Sequence, residues 1–470
     1  MHRSYQYMKC LAATAVAIAA ACAPPCVKAD FYAARNGQTP TFPYSSWASA
    51  ANTIQDAVNA ATPNATVWVG AGRYTLPPNA TNYYGSNVVF VNRPLILRSS
   101  NGVPETTVID GQGTNRGLTV NYWSPSITNR FILDGFTISN CWAWGTNSGG
   151  GILLDPLNTG WTNIIQNCIV ADNTVFSPTS TVTAVGGGLY CSMNFAYFGL
   201  IISNSIFRNN QATNANLKAR CMAGAIYSRT AGTRLITDSV IENNTAGYAG
   251  GIYTYLATLE IDRSILRGNV AHSGENATWA GGAIYLGASQ LVLRNSLLYD
   301  NWTVAAGGAI ASQCQAKGAY IARIYNSTIV SNYAGGGGGG IYMRSWGALG
   351  SMSIHMFNSI VHSNGPQNAF GNMYLAGLSS FATNYITNSC FWNTNEVWAG
   401  TGNTTNSPAF ADFAGRNFRL SPLSPCLNTG TNDAWMEGSV ELDGNRRIRY
   451  GSVDMGAYEM IGAATVYRFR

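Results

Sequence analysis

The chain has 470 residues, of which only 10% are charged, and a formal charge of +6. So weak a positive balance gives no reason to expect a nucleic-acid partner. Fifty-one glycines, with Asn, Ser and Thr filling the polar positions, exclude a helical bundle, which needs more Glu, Lys and Leu.

Arg3 and Lys9 precede an uncharged apolar run from Leu11 to Ala21, and Val27-Lys28-Ala29 follows. That order predicts a secretory signal peptide over residues 1–29, cut after Ala29. The run is too short to stay in a bilayer, and no later segment reads as a transmembrane helix. A lipoprotein signal ending at Cys22 is the weaker reading, because no leucine stands three residues before it. Cleavage removes Arg3, Lys9 and Lys28, which takes the formal charge from +6 to +3. It also leaves seven cysteines, widely spaced and without a CxxC, so spacing predicts no metal site. Buried thiols are the preferred reading, with one or two disulfides as the alternative in an exported chain.

Residues 30–87 read as an N-terminal cap. Ile54, Ala57, Val58 and Ala61 recur at helical spacing, and Asn52 with Gln55 resembles a capping box. This predicts a short amphipathic helix plugging the first coil. The strand Thr66–Val69 follows, then a loop around Pro77-Pro78 and Tyr83-Tyr84-Gly85, with coils starting near Val88.

Residues 88–400 repeat. One pattern is a small pair before an aliphatic residue, as in Gly187-Gly188-Leu189, Gly250-Gly251-Ile252 and Gly339-Gly340-Ile341. The other is a Ser marker followed five residues later by Asn: Ser205/Asn210, Ser239/Asn244, Ser264/Asn269, Ser296/Asn301, Ser327/Asn332 and Ser359/Asn364. Cys168/Asn173 and Gly135/Asn140 align as earlier copies, and Ser389/Thr394 as a ninth. Spacings between 25 and 37 residues suit one coil of a solenoid with loops of unequal length. Each copy holds short runs rich in Ile, Val and Tyr, and parallel strands cannot be joined by tight hairpins. Coiling answers both, since each strand then pairs with its equivalent about 4.8 Å along the axis. The predicted fold is all-β: a single-stranded right-handed parallel β-helix of nine or more coils with a helix cap and an irregular C-terminal cap. The Asn column is assigned left-handed turns and a stacked amide ladder, and the Gly column positive φ and a bare corner.

From about residue 401 to 470 the repeat gives way to turn-rich text with charge restored, including Leu442-Asp443-Gly444-Asn445-Arg446-Arg447 and Val453-Asp454-Met455-Gly456-Ala457-Tyr458-Glu459. Asp443 and Asp454 could hold Ca²⁺ or cap turns; turn capping is preferred, since Arg446 and Arg447 can neutralise them.

The run Trp47–Tyr74 resembles the start of bacterial pectate-lyase-like β-helix proteins. Gly281-Gly282-Ala283-Ile284, Gly307-Gly308-Ala309-Ile310 and Phe207-Arg208-Asn209-Asn210 resemble polymorphic outer-membrane-protein repeats. The closing motifs at 443–446 and 453–459 are similar to the choice-of-anchor Q segment of bacterial surface proteins. These resemblances imply a β-helix and export to the cell surface or medium, but no single activity. The sequence departs from the polymorphic proteins in having no C-terminal membrane barrel, and Met460–Arg470 carries no sorting tail, which leaves the anchoring route open.

Chemistry is thinly signposted. A lyase needs a base beside a uronate, often with Ca²⁺, and a glycosidase needs spaced carboxylates. The densest charged region, the weak catalytic candidate, is Glu242, Glu260, Asp262, Arg263 and Arg267; solvated strand-edge charge is the preferred account. His355 and His362 share a coil but lack further ligands, so no metal or other cofactor is expected. Tyr190, Tyr227, Tyr253, Tyr285 and Tyr342 follow an inward aliphatic residue, so period two turns them outward. They form either an exposed strip for stacking on a glycan or a column that stacks on itself. The expected function is a monomeric, exported or surface β-helix that binds glycan or another surface component. The alternatives are a polysaccharide lyase or glycoside hydrolase, and a passive spacer.

Overall fold

The computed structural model describes residues 30–77, 86–122, 130–144, 149–155, 162–179, 183–192, 199–215, 221–272, 280–314, 318–345, 350–365, 371–376, 384–391 and 400–461. Residues 1–29, read above as a signal peptide, and Tyr83–Gly85 and Thr394 lie outside the described residues.

The chain forms a right-handed parallel β-helix whose strands stack into ladders of twelve, eleven, ten and seven strands. One coil shows the order: Thr258–Asp262 in the twelve-strand sheet, Ile265–Arg267 in the eleven, Val270–Ala271 in the seven, Ile284–Gly287 in the ten. Each strand pairs in parallel with the equivalent strand of the next coil, as Leu259 with Leu291 and Ile261 with Leu293. Alternation sends one set of side chains inward. Val67, Leu97, Leu133, Ile165, Ile202, Ile236, Ile261, Leu293, Ile324, Met356 and Ile386 align in one buried column. This continuous apolar core is what no single coil could bury alone.

The ladder begins earlier than the expected start near Val88. Asp30–Ala33 pairs with Thr66–Val69, which pairs with Ile96–Ser99, so the N-terminal segment is already coiled. The helix Ile54–Ala60 covers the first coil, burying Ile54, Ala57 and Val58 against the core that holds Phe31 and Val67. Its cap lies one residue later than expected. Thr53 Oγ1 accepts from the Asp56 amide (3.0 Å) and donates back to the Asp56 carboxylate (2.7 Å). Gln55 instead clamps the Phe90 backbone, accepting from its N–H at 2.7 Å and donating to its carbonyl at 3.0 Å.

The Asn column is a buried amide ladder. Each Asn Oδ1 accepts from the backbone N–H and the Nδ2 of the preceding rung, running from Asn173 through Asn210, Asn244, Asn269, Asn301 and Asn332 to Asn364. The left-handed turns fall one residue earlier, at Asp172, Asn209, Asn243, Asp300, Ser331 and Ser363. Asn140 is one of these turn residues, and the Cys141 amide takes the rung place beside Asn173. The first copy therefore aligns on Phe136 and Cys141, not on Gly135 and Asn140. The Ser markers form a second ladder, each Oγ accepting from the amide one coil back, as Ser239 from Ser205 at 3.2 Å.

The Gly column also needs correction. Positive φ sits just before the small pair, at Gly149, Gly186, Ala223, Gly307 and Gly338. The first Gly of a pair is required by close approach: a Cβ on Gly282 would lie 2.0 Å from the Gly308 carbonyl oxygen.

After an antiparallel hairpin, Phe410–Asp412 with Asn417–Leu420, the chain turns back over the eleven-strand sheet. Gly456 donates to the Asn358 carbonyl (2.7 Å) and Ala457 to Thr328 Oγ1 (3.0 Å). Phe418, Ala457 and Tyr458 pack on Leu297, Tyr299 and Val330. Arg447 is wholly buried in this strap, 3.3 Å from Glu459, and it donates to the carbonyls of Asp454, Gly456 and Ala457. Asp443 pairs with Arg419 and not with Arg446 or Arg447, while the Asp454 carboxylate caps the Asn428 and Met460 amides, with the Arg447 charge acting on it.

Candidate functional site

The twelve-strand sheet carries one outward column in strict register: Tyr32, Trp68, Arg98, Asp134, Gln166, Ser203, Thr237, Asp262, Arg294, Tyr325, Phe357 and Thr387. Aromatic rings begin it and stand just before its last residue. At the far end Tyr325 stacks on Phe357 (5.6 Å), and Trp435 of the C-terminal strap covers both Tyr325 and Arg294. At the near end the rings stay open. Tyr32 meets Trp47 edge to face at 4.8 Å, and Arg98 sits 5.5 Å over Trp68. Trp47 is 43% exposed. These rings, with Asp30, Arg35 and Asn36, line a cleft of about 670 Å³. That volume lies within the range of small-ligand sites (about 300–1,000 Å³) and suits a sugar or two. Gly70 lines the same cleft, and a Cβ there would sit in ordinary contact with the Trp47 ring at 3.5 Å, so a longer side chain at this position would enter the cleft.

Arg98 is neutralised by Asp134 at 2.9 Å, which leaves the Asp30 carboxylate and Arg35 as one charge of each sign, to which the α-ammonium of Asp30 is added in a chain cut after Ala29. Flat rings with a few polar groups can stack on the C–H face of a pyranose while its hydroxyls are hydrogen-bonded.

The expected charged region does not form one constellation. Glu242 and Arg267 pair at 2.6 Å on the eleven-strand sheet, where Arg267 also donates to the Tyr299 hydroxyl (2.9 Å). Glu260 lies on the twelve-strand sheet, 3.9 Å from Arg294. Asp262 ends a strand of that same sheet and pairs with Arg263 at the following turn, where Arg263 also forks onto Asp238 at 2.8 Å. Burial pushes Asp238 up, but hydrogen bonds from Arg263 and Thr237 outweigh it and hold the carboxyl below its usual range. Burial wins at Asp262, which is raised despite the Asn295 amide and Arg263. These carboxylates are tied to guanidinium groups, and five residues spread over two sheets and a turn do not enclose a reacting bond.

The tyrosine strip stacks on itself. Tyr190, Tyr227, Tyr253 and Tyr285 lie face to face at 5.0–5.3 Å. Tyr227, Tyr285 and Tyr342 are buried, contrary to the expectation of exposure; Ala223 packs on Tyr227, and Ala249 and Ala311 pack on Tyr285. Tyr285 spends its hydroxyl on Gln313 at 2.6 Å. Tyr190 and Tyr253 keep partial exposure. His355 faces Tyr385, whereas burial lowers His362 to about 4. Among the described residues, no three His, Cys, Asp or Glu side chains come together as a metal site.

Tyr32, Trp47 and Trp68 escaped the sequence reading because residues 30–87 read as a cap outside the repeat. The signal was present in Phe31-Tyr32-Ala33 and Val67-Trp68-Val69, two short strands that each place one aromatic residue between inward apolar ones.

Comparison with known proteins agrees with the architecture. The family described as a right handed beta helix region matches residues 187–391. "Probable autotransporter YfaL" of Escherichia coli (strain K12) is 27% identical over 326 residues, 62% of this chain and 25% of that protein. "Metabotropic glutamate receptor-like protein R" of Dictyostelium discoideum is 27% identical over 161 residues, 30% of this chain and 9% of that protein. The chain thus spans a quarter or less of the curated relatives it matches. A solved structure, "Crystal structure of pectate lyase Pel9A", aligns over 92% of this chain and 96% of its own, with 12% identity and a TM-score of 0.48. The class that the fold defines is the right-handed parallel β-helix protein. Among the described residues, no helix is long and apolar enough to cross a membrane.

Proposed function

We propose that this is an exported or surface-displayed β-helix protein that binds glycan, and that its site is the aromatic cleft at the N-terminal end of the twelve-strand sheet. The observation that carries the reading is the open set Tyr32, Trp47 and Trp68 around a 670 Å³ space, where the opposite end of the same column is covered. The similarity to a probable autotransporter supports export, as does the predicted signal peptide. The Asp30 carboxylate, Arg35 and, after cleavage, the Asp30 α-ammonium leave the cleft one positive charge at most, so neutral sugars are the expected ligands and acidic ones are not repelled. Guanidinium partners on Glu242, Glu260 and Asp262 favour binding over hydrolysis.

Residues 30–470 and the Trp47→Ala variant should be passed over immobilised neutral and acidic polysaccharides, with and without Ca²⁺, while soluble products are assayed. Retention of the parent on a neutral glycan, lost in Trp47→Ala at unchanged thermal stability, is the expected result. Equal retention of both proteins would move binding off the cleft. New reducing ends or unsaturated products would replace binding with catalysis.

A further inference from the structure

Cys390 and Cys426 are brought together from distant parts of the sequence. Cys390 ends the eleven-strand ladder, pairing with Ile360, and Cys426 lies in the strap that folds back over that sheet. Both are fully buried in one cluster with Ile360, Leu420 and Met455. The two thiols are neighbours that shift each other's proton affinity, and Cys390 Sγ donates to the Asn406 carbonyl at 3.2 Å. The strap around Cys426 is fixed on both sides: its amide donates to Ser424 Oγ (3.1 Å), and its carbonyl accepts from the Met455 amide (3.0 Å).

The other buried cysteines have different surroundings. Cys191 lies between Leu154 and Ser228 of the adjoining coils, and Cys221 lies beside Ala184. Cys168 stacks on Ser205, and Cys141 donates to the Ser139 carbonyl. Two thiols in contact inside an exported protein are positioned for oxidation.

We infer that Cys390 and Cys426 form a disulfide that fastens the C-terminal strap to the last coil. The electron acceptor is an external disulfide, such as that of a thiol oxidant or oxidised glutathione. The Cys426 thiolate attacks it and displaces one thiol. The Cys390 thiolate then attacks the mixed disulfide and displaces the second. Two protons and two electrons leave the protein, and one S–S bond forms. Hydrogen bonds from Cys390 and Ser424 hold Cys426 below the usual thiol range, which suits it to the first attack. Complete burial places the reaction before the strap closes and shields the bond from reductant afterwards.

The inference rests on the exported reading, and its test separates the two. The full chain is produced with its native N-terminus in a secreting bacterial host, trapped with iodoacetamide and peptide-mapped. The expected product lacks residues 1–29, carries a linked Cys390–Cys426 peptide pair and has five alkylated cysteines of seven. An exported, processed chain with all seven alkylated overturns the disulfide and leaves export standing. A chain retained inside the cell overturns export. The pair is then judged by refolding residues 30–470 in oxidised glutathione, where failure to recover the 390–426 cross-link overturns it. In either case reductant should lower the thermal midpoint of the oxidised parent and leave a C390A/C426A double variant unmoved. Equal sensitivity of the two would overturn the fastening role.

Discussion

Replacing Asn269 by Ala tests whether the amide ladder holds the coils together. The Asn269 side chain makes four hydrogen bonds: it accepts from the Asn244 N–H (3.1 Å) and Nδ2 (3.0 Å), and donates to the Ile241 carbonyl (2.8 Å) and Asn301 Oδ1 (2.9 Å). Truncation strands the Asn244 N–H and one Nδ2 hydrogen in a site with no exposure. It also takes one donor from Ile241. At about 1–3 kcal/mol for each buried group left unsatisfied, with partial relaxation, the expected loss is about 3–5 kcal/mol. Asn243→Gly is the matched control. Asn243 is exposed at φ +55°, a conformation glycine adopts freely, so its stability should change by about 0.5 kcal/mol or less. Urea unfolding followed by circular dichroism gives the global effect, and hydrogen exchange at the Asn244 amide gives the local one. A loss below about 1 kcal/mol with the Asn244 amide still protected would refute the argument.

Within the glycan assay, Trp68→Ala should lose retention as Trp47→Ala does, whereas Tyr253→Ala should keep it while costing about 2 kcal/mol from the broken stack. Loss of retention on Tyr253→Ala would return the site to the tyrosine column. His362, 9% exposed, is held near 4 by burial, against about 6.5 in the unfolded chain. The unfolded state therefore binds the extra proton between those values. Stability is full above pH 6.5 and falls by up to about 3 kcal/mol as pH drops to 4. A His362→Gln variant should flatten that slope in pH-dependent urea midpoints, and an unchanged slope would acquit the residue. Arg447→Met leaves Glu459, Glu441 and Asp454 without their buried cation, for a loss of about 3–5 kcal/mol and new proteolytic cuts in 421–460. A protease-resistant strap would show that the ion pair is dispensable.

The sequence disclosed the repeat because every coil solves the same physical problem, so Ser and Asn recur at one offset. Register was harder. Gly135 and Asn140 look like the Ser and Asn columns, yet both are left-handed turn residues one place earlier; Phe136 and Cys141 hold the ladder positions without the marker residue types. The direction in which Tyr227 and Tyr285 point followed from period two, but their burial did not, since part of their cover comes from adjoining coils, Val185 on Tyr227 and Ala249 with Ala311 on Tyr285. The carboxylate region failed for a related reason. Glu242 and Glu260 are eighteen residues apart in the text, and the coil carries them to different sheets.

A solenoid separates stability from recognition by column. The inward aliphatic column and the two turn ladders depend only on nearest-neighbour coils, so each is built from one residue type repeated. The outward column of the twelve-strand sheet is under no such rule, and it changes character along its length. Its middle is a run of compensated polar groups such as Arg98, Asp134 and Gln166, where Asp134 accepts from both neighbours. Its C-terminal aromatics are covered by Trp435 of the strap, as the end of a stacked array requires. At the N-terminal end the helix Ile54–Ala60 covers the inward core, while Tyr32 and Trp68 on the outward side keep an open cleft beside them. Tyr325 and Phe357 at the other end are likewise only half-buried, but there Trp435 packs edge-on against Tyr325, whereas the near-end rings line a cleft. Under the proposed function, that open cleft is the feature by which a binding protein would differ from a passive spacer. Filling the cleft through Gly70→Leu should therefore abolish glycan retention while leaving the ladder amides protected from exchange.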